Sequence, residues 1–543
     1  MNKPLMFRSK SKNVLEARGM VHSGSFRQAF GVFLISLTTL LINLGEPPIY
    51  ILDEAKNAEC AREMLVSGNY IVPQFNGQLR TDKPPLHYFF MVAAYKIFGV
   101  SSFSARFFSA VFGALTVVVT FLFAQKIAGR ATAFLTALVL FCSLHFNLQM
   151  RLAVPDPYLI FFMTAGLMSF YLFFLERKQL WLYAMYISFA LGFLTKGPVA
   201  LVLPGLIICS FLIMTREFKF QFFRSLKLPV GILIFLLLVC PWYYANYVAT
   251  DGAWTRSFFL EHNLGRYRET MEGHGGFFLL PFLMPILGLL PLSFLFFHAI
   301  ANAWRNRSTP GILFCLFVVA GVCLFFSFSS TKLPNYTVPA YPFAAVLIAV
   351  FLKPILAQSL GFPYLKLSYG VYTFIALAIP IGIYMTFNSD ENLRSFSYLA
   401  LYFLFLPIGA LCGWYLLSKR KNLYLIYTVA ISFIITNVLF FVSAYPAAYA
   451  GNPVVSSLGI LKDRPCVAYY RRVNPAYVFH LRRIIPPIND PTELQAFVKS
   501  NPRCYIISRK KYANELEKIV GLKLLFEGQD TFEGSTTVIY QAP

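Results

Sequence analysis

The sequence predicts a multi-span α-helical membrane protein, about thirteen transmembrane helices followed by a small C-terminal α/β domain. Three observations carry this. Apolar residues make up 57% of the 543 positions and charged residues only 13%, where a soluble domain carries about 25% charge. Apolar runs near the ~20 residues needed to cross a hydrocarbon core recur along the chain. The runs stop near residue 442, and the remaining stretch, roughly 100 residues, is long enough to bury a core of its own.

The elements follow in order. Residues 1–29 are polar and basic and read as a cytoplasmic tail. The first apolar run ends at Gly45 without a small-residue cleavage site, so it is expected to be a retained helix. Spans are expected near 30–46, 105–126, 131–149, 157–175, 181–196, 199–215, 228–249, 277–300, 311–329, 336–352, 369–386, 397–417 and 423–442. Together, residues 30–442 form the membrane domain, and an odd number of crossings puts the two termini on opposite sides. After it, Cys466–Tyr470, Cys504–Ile507 and Thr536–Tyr540 read as strands and Pro491–Lys499 as a helix, so 443–543 is expected to be an α/β domain.

Charge sets the orientation. Lys126 to Arg130, Arg177–Lys178, Arg216 to Lys227, Arg305–Arg307, Lys353 and Lys419 to Lys421 all fall in loops of one side, which the positive-inside rule makes cytoplasmic. Asp53, Glu54, Glu59, Glu63, Asp156, Asp251, Glu261, Glu269, Glu272, Asp390 and Glu391 fall on the other. The net charge of +23 is therefore a topology and headgroup signal, not a nucleic-acid surface. Two outer segments, 47–104 and 250–276, are too long to be simple connectors, and long loops commonly hold the site. Within the first, Ala58 to Leu65 reads as amphipathic and Leu86 to Phe98 as a helix lying at the membrane surface.

Cysteine spacing suggests neither a metal site nor a redox motif. Cys142, Cys209, Cys240, Cys323 and Cys412 lie in apolar runs as packing residues. Cys466 and Cys504 share the outer domain, where a disulfide can form.

The outer face gathers the residues that can carry chemistry. Asp53-Glu54 follows the first span, and carboxylates at such a place are costly unless solvated, paired or used. Thr81-Asp82-Lys83-Pro84-Pro85 puts an acid and a lysine on a stiff turn. Asp156 stands between two prolines, where it also suits a first-turn helix cap. Lys196 and Lys332 lie at outer span ends, against the charge rule, and suggest a held anion. His262 and Arg266 add donors. A transporter is expected to place such charges near mid-bilayer on broken helices. Clusters at span ends favour an enzyme that moves a group from a lipid phosphate, with carboxylates as base or cation ligand and cations for the phosphate.

These motifs, with Arg62-Glu63-Met64, Ser67-Gly68-Asn69-Tyr70, Thr195-Lys196-Gly197, Pro241-Trp242, Glu261-His262 and Lys332-Leu333-Pro334, run in order from about residue 45 to 345. In this the chain resembles the bacterial aminoarabinose lipid A transferases, and more widely the protein O-mannosyltransferase-like membrane glycosyltransferases of GT-C type. The resemblance implies a bacterial inner-membrane enzyme with a periplasm-facing cavity. It implies inverting transfer of a sugar, aminoarabinose in that family, from undecaprenyl phosphate to lipid A. Protein or another glycan as acceptor remains an alternative, and a lipid-linked sugar transporter a further one. By motif, Asp53 and Asp156 match the essential acids, and Lys83 the phosphate-holding lysine. Arg266, Lys196 and Lys332 are expected beside Lys83, with Glu54, Lys56 and His262 as auxiliary groups. A divalent metal ion is the one cofactor the resemblance raises, with Asp82 and Glu261 as its ligands. The family usually has Glu where this chain has Asp82, and often Arg where it has Lys56, which leaves metal binding and sugar choice open.

Overall fold

A computed structural model describes residues 24–265, 276–356, 365–390, 393–530 and 534–543. Arg266, Glu269, Glu272 and Glu391 lie outside the described residues. Among the described residues, eight helices are long and apolar enough to cross a membrane: Ser102–Ala128, Asp156–Glu176, Leu228–Ala249, Pro310–Phe328, Pro334–Leu356, Leu365–Ser389, Arg394–Ser418 and Asn422–Tyr449. Shorter apolar helices, Ser25–Leu41, Leu86–Phe98, Arg130–Cys142 and Val199–Met214, stand beside them. Burial sorts the long helices. Pro334–Leu356 is 83% buried and central, whereas Leu228–Ala249 is only 17% buried and turns Ile232, Leu233, Leu236 and Leu237 outward. An apolar helix exposed in this way is stable only against lipid.

Every expected span meets helix, yet several are broken. Residues 131–149 form two helices, Arg130–Cys142 and Leu144–Gln149. The break is at Ser143, whose hydroxyl accepts from the Phe146 N–H at 3.0 Å and donates to the Gly288 carbonyl. Residues 277–300 split into Leu280–Gly288, a 3-10 turn Leu292–Leu295 and Phe296–Arg305. Pro291 lies in that gap and has no N–H to continue the ladder. The first helix, Gly24–Leu41, ends earlier than residue 46.

One end of the bundle gathers the basic loops. Glu176 bridges Lys126 at 2.8 Å and Lys178 at 2.9 Å, and Ser25 donates to Gln125 at 2.9 Å. The opposite end carries Asp53, Asp156 and the C-terminal sheet.

That sheet has five strands in the order β4-β3-β5-β7-β6: β3 (Val467–Tyr470), β4 (Pro487–Ile488), β5 (Tyr505–Arg509), β6 (Lys523–Gln529) and β7 (Thr536–Gln541). β3 runs parallel to β4 and β5, and β7 antiparallel to β5 and β6. Cys466 and Cys504, one residue before β3 and β5, form a disulfide between the neighbouring strands. Cys504→Ser is expected to lower the stability of this domain by about 2–4 kcal/mol, seen as an earlier transition in thermal unfolding. An unchanged transition would show the bond to be dispensable.

The sheet domain sits on the helix Leu52–Ser67 and on a small hairpin, β1 (Gln74–Phe75) with β2 (Gln78–Leu79). Asn76 and Gly77 make the hairpin turn with φ of 54° and 72°, the left-handed geometry of a two-residue turn. Glu63 accepts from both turn N–H groups, at 2.5 and 3.1 Å. Asn76 exchanges two hydrogen bonds with Ile485, at 2.8 and 2.7 Å. The helix is therefore enclosed: Glu54, Asn57, Glu59, Arg62 and Glu63 are buried along with Ala55, Ala58 and Ala61. The polar side of the amphipathic stretch Ala58 to Leu65 is buried with its charges met: Arg62 pairs with Glu59, and Glu63 holds the hairpin turn.

Candidate active site

Asp53 and Glu54 open the helix Leu52–Ser67, in the first turn that favours carboxylates. They do different things. Glu54 is 1% exposed and grips Arg106 through two bonds, 2.7 and 2.8 Å, while accepting from the Ala153 N–H at 2.8 Å. Glu54, expected as an auxiliary group of the site, is thus committed to the scaffold. The Asp53 side chain stays 52% exposed, with Arg80 Nη2 at 3.9 Å and Lys83 Nζ at 4.0 Å.

The segment that leads through the hairpin to Lys83 is anchored at its start and just before the lysine. Trp242 Nε1 donates to the Tyr70 carbonyl at 3.2 Å, Asn246 to Ile71 at 2.7 Å, and Trp254 Nε1 to Arg80 at 2.9 Å. Asp82 lies 3.5 Å from Arg80 Nη2 and 3.2 Å from His262 Nε2. Burial opposes its charge, but Arg80, His262, Lys83 and Lys56 overcome that and hold the Asp82 carboxyl below the ordinary value. His262 comes from the π-helical turn Ser257–Gly265, docked on Thr81 through Ser257 at 2.9 Å and His262 at 3.2 Å. Both long loops therefore meet at Thr81-Asp82.

Asp156 starts the helix Asp156–Glu176 and is 6% exposed. Its Oδ1 accepts from Lys196 Nζ at 2.8 Å and from Asn335 Nδ2 at 2.9 Å. Lys196 also lies 5.2 Å from the centre of the Tyr336 ring, and Asp53 is among the charges that act on it. Lys332 stands differently: its ammonium donates to its own Ser329 carbonyl at 2.6 Å. Lys56, half-buried one turn from Asp53, reaches the cluster through its field on Asp82.

The described side chains at this site do not assemble a ligand set for a divalent metal ion. Among the described residues there is no group of three or more His, Cys, Asp or Glu side chains placed to hold one. Glu261, expected as a ligand with Asp82, accepts instead from the Ser257 hydroxyl at 2.6 Å. Asp82 itself stands between His262 and the Arg80 cation. Three polar residues of this region escape a reading of the sequence: Arg80, Asn57 and Asn335. The Asn76-Gly77 hairpin signal, three residues ahead of Arg80, marks the one that could have been found.

The arrangement of the helices, with a sheet domain over a loop-built polar cluster, is shared with solved membrane proteins. The match to solved structures is extensive: the apo state of ArnT from Cupriavidus metallidurans superposes with a TM-score of 0.79 at 20% identity, over 95% of this chain and 98% of that one. The same protein bound to undecaprenyl phosphate gives 0.78, over 94% and 97%. Residues 31–256 match the family model of dolichyl-phosphate-mannose-protein mannosyltransferases. An Aquifex aeolicus protein of no assigned function is 31% identical over 66% of this chain and 76% of its own length. The undecaprenyl phosphate-alpha-4-amino-4-deoxy-L-arabinose arabinosyl transferase of Aeromonas hydrophila is 31% identical over 58% of each chain. The match spans under two thirds of that relative, and 64% of a second Aquifex aeolicus protein. The chain is thus related by sequence to the protein mannosyltransferase-like and aminoarabinose transferase-like superfamily of GT-C type.

Proposed function

We propose that the chain transfers a sugar from undecaprenyl phosphate to an envelope acceptor, with aminoarabinose and lipid A as the first donor and acceptor to test. The observation that carries this reading is Asp53: a half-exposed carboxylate 4.0 Å from Lys83 at the outer end of the bundle. In the proposed reaction an acceptor oxygen attacks the anomeric carbon as the bond to the donor phosphate breaks. The leaving polyprenyl phosphate gains charge, and Lys83 with Lys196 stabilises it as it forms. Asp53 orients the acceptor, and removes its proton where that acceptor is a hydroxyl. A lipid A phosphate is already a nucleophile and needs only the orientation. Arg266 and Lys332 are assigned to the donor phosphate as well, and Asp156 to holding Lys196.

The site is assigned to the periplasmic side, with the N-terminus cytoplasmic and membrane lipids around thirteen crossings. The Cys466–Cys504 disulfide supports that side, because such bonds persist in oxidising compartments. So does the cluster of basic loops at the opposite end. The domain limits stay at 30–442 and 443–543 in this reading.

Purified protein, undecaprenyl-phosphate sugars and candidate acceptors, with products followed by mass spectrometry, test it. Transfer by the wild type is expected to fall about 10²-fold or more in Asp53→Asn and in Lys83→Ala. Equal transfer in wild type and both variants would remove the assignment. Running protein and glycan acceptors in parallel decides between lipid A and the alternatives.

A further inference from the structure

Two arginines are buried near the start of the helix Leu52–Ser67, and they use their guanidinium groups in opposite ways. Arg106 spends its fork on bonds: two to Glu54, and others to the carbonyls of Leu44, Pro47 and Pro48. That is how a scaffold arginine is accommodated. Arg80 is equally enclosed, 5% exposed, yet only its Nη2 makes a hydrogen bond, to Asn57 Oδ1 at 2.9 Å. Its Nε and Nη1 have no hydrogen-bond partner among the described residues. Burying a cation with most of its fork unused is costly, so bonding alone does not explain its place.

What Arg80 has instead is position. Nη2 lies between two carboxylates, 3.9 Å from Asp53 and 3.5 Å from Asp82. Both are longer than strong charge-assisted bonds, so Arg80 acts on the two acids through its charge rather than through a bond to either. Both are short enough for the charge to act. Two carboxylates grouped around one nitrogen repel each other and draw in a proton or a cation unless a fixed positive charge stands there. Arginine suits this, being always charged and weakly hydrated. The anchors keep it still. The Arg80 N–H donates to the Pro73 carbonyl at 2.9 Å, and its own carbonyl accepts from buried Trp254 at 2.9 Å. Asn57, which holds the guanidinium, donates in turn to the Ala153 carbonyl at 3.3 Å, three residues before Asp156.

We propose that Arg80 is a positioning residue, a built-in counter-charge that holds Asp53 and Asp82 together and takes the place of a divalent cation between them. Its part in turnover rests on the transferase reading above; its part in excluding a metal does not. Arg80→Gln is expected to fold, to leave the donor KM within about threefold, and to lower kcat about 10²-fold. Arg80→Lys keeps the charge but not the fork, and is expected to recover part of that loss. Titration calorimetry with Mn²⁺ or Zn²⁺ alone is expected to show one cation bound to Arg80→Gln and none at this site in the wild type.

A folded Arg80→Gln with wild-type kcat and no gain in cation binding would overturn the proposal. So would activity that merely tracks the folded fraction in both Arg80 variants. Should Arg80→Gln not fold, Asn57→Ala decides, because it frees the guanidinium without removing it: about tenfold lower kcat is expected, and wild-type kcat would overturn the role. A wild type that transfers no sugar would sink the transferase reading alone, leaving the calorimetry to judge Arg80.

Discussion

Replacing Arg106 by methionine is expected to destabilise the protein by about 3–5 kcal/mol, the cost of breaking a buried ion pair from one side. Glu54 is 1% exposed and would be left with the Ala153 N–H as its remaining described hydrogen-bond donor. The loss extends further, because Arg106 also donates to the carbonyls of Leu44 and Pro47 at 3.1 and 2.5 Å. Those bonds tie the chain leaving the first helix to the membrane helix Ser102–Ala128. Thermal unfolding in detergent would measure the effect. Adding Glu54→Gln to Arg106→Met removes the orphaned charge and is expected to restore part of the stability. A single variant that unfolds with the wild type would mean that water reaches Glu54 and the pair is not buried in the working protein. Transfer should fall only with the folded fraction, since neither group is assigned to substrate.

Glu54 shows where reading a sequence stops. Asp53-Glu54 looks like one acidic pair, and the sequence has no means to split it. Successive helix positions are about 100° apart, so two adjacent acids cannot face the same neighbour. Which one is buried depends on Arg106, 52 residues away. Lys332 is a similar case: its place at an outer span end is legible, whereas its bond to the Ser329 carbonyl depends on the local turn. What the sequence does carry well is everything set by hydropathy and short-range signals. Apolar runs locate the helices, and short, mostly apolar segments locate β3, β5 and β7. The Lys83-Pro-Pro turn and the Asp156 helix start fall where proline places them. The short strand β4 and the exposed β6 have no such signal, being recruited by pairing to neighbours distant in sequence. Arg80 was hidden for a different reason. A lone arginine in a polar loop is ordinary until the Trp254 and Asn57 anchors close around it.

Lys196→Met is the second change with a large expected effect, and it separates scaffold from chemistry. Asp156 would lose a 2.8 Å partner and retain Asn335 at 2.9 Å. Because the Lys196 side chain is 17% exposed, some water can replace it; the destabilisation is therefore expected at about 2–3 kcal/mol, below the full cost of an orphaned buried charge. Transfer is expected to fall further, about 10²-fold in kcat, if the lysine neutralises the departing phosphate. The double variant Asp156→Asn with Lys196→Met distinguishes the two effects. It removes both charges, so most of the stability should return, but the cation at the phosphate does not. A stable, inactive double variant assigns the pair to the reaction. A stable double variant with wild-type turnover would reduce the pair to a scaffold contact, leaving Lys83, Arg266 and Lys332 as the cations proposed for the donor.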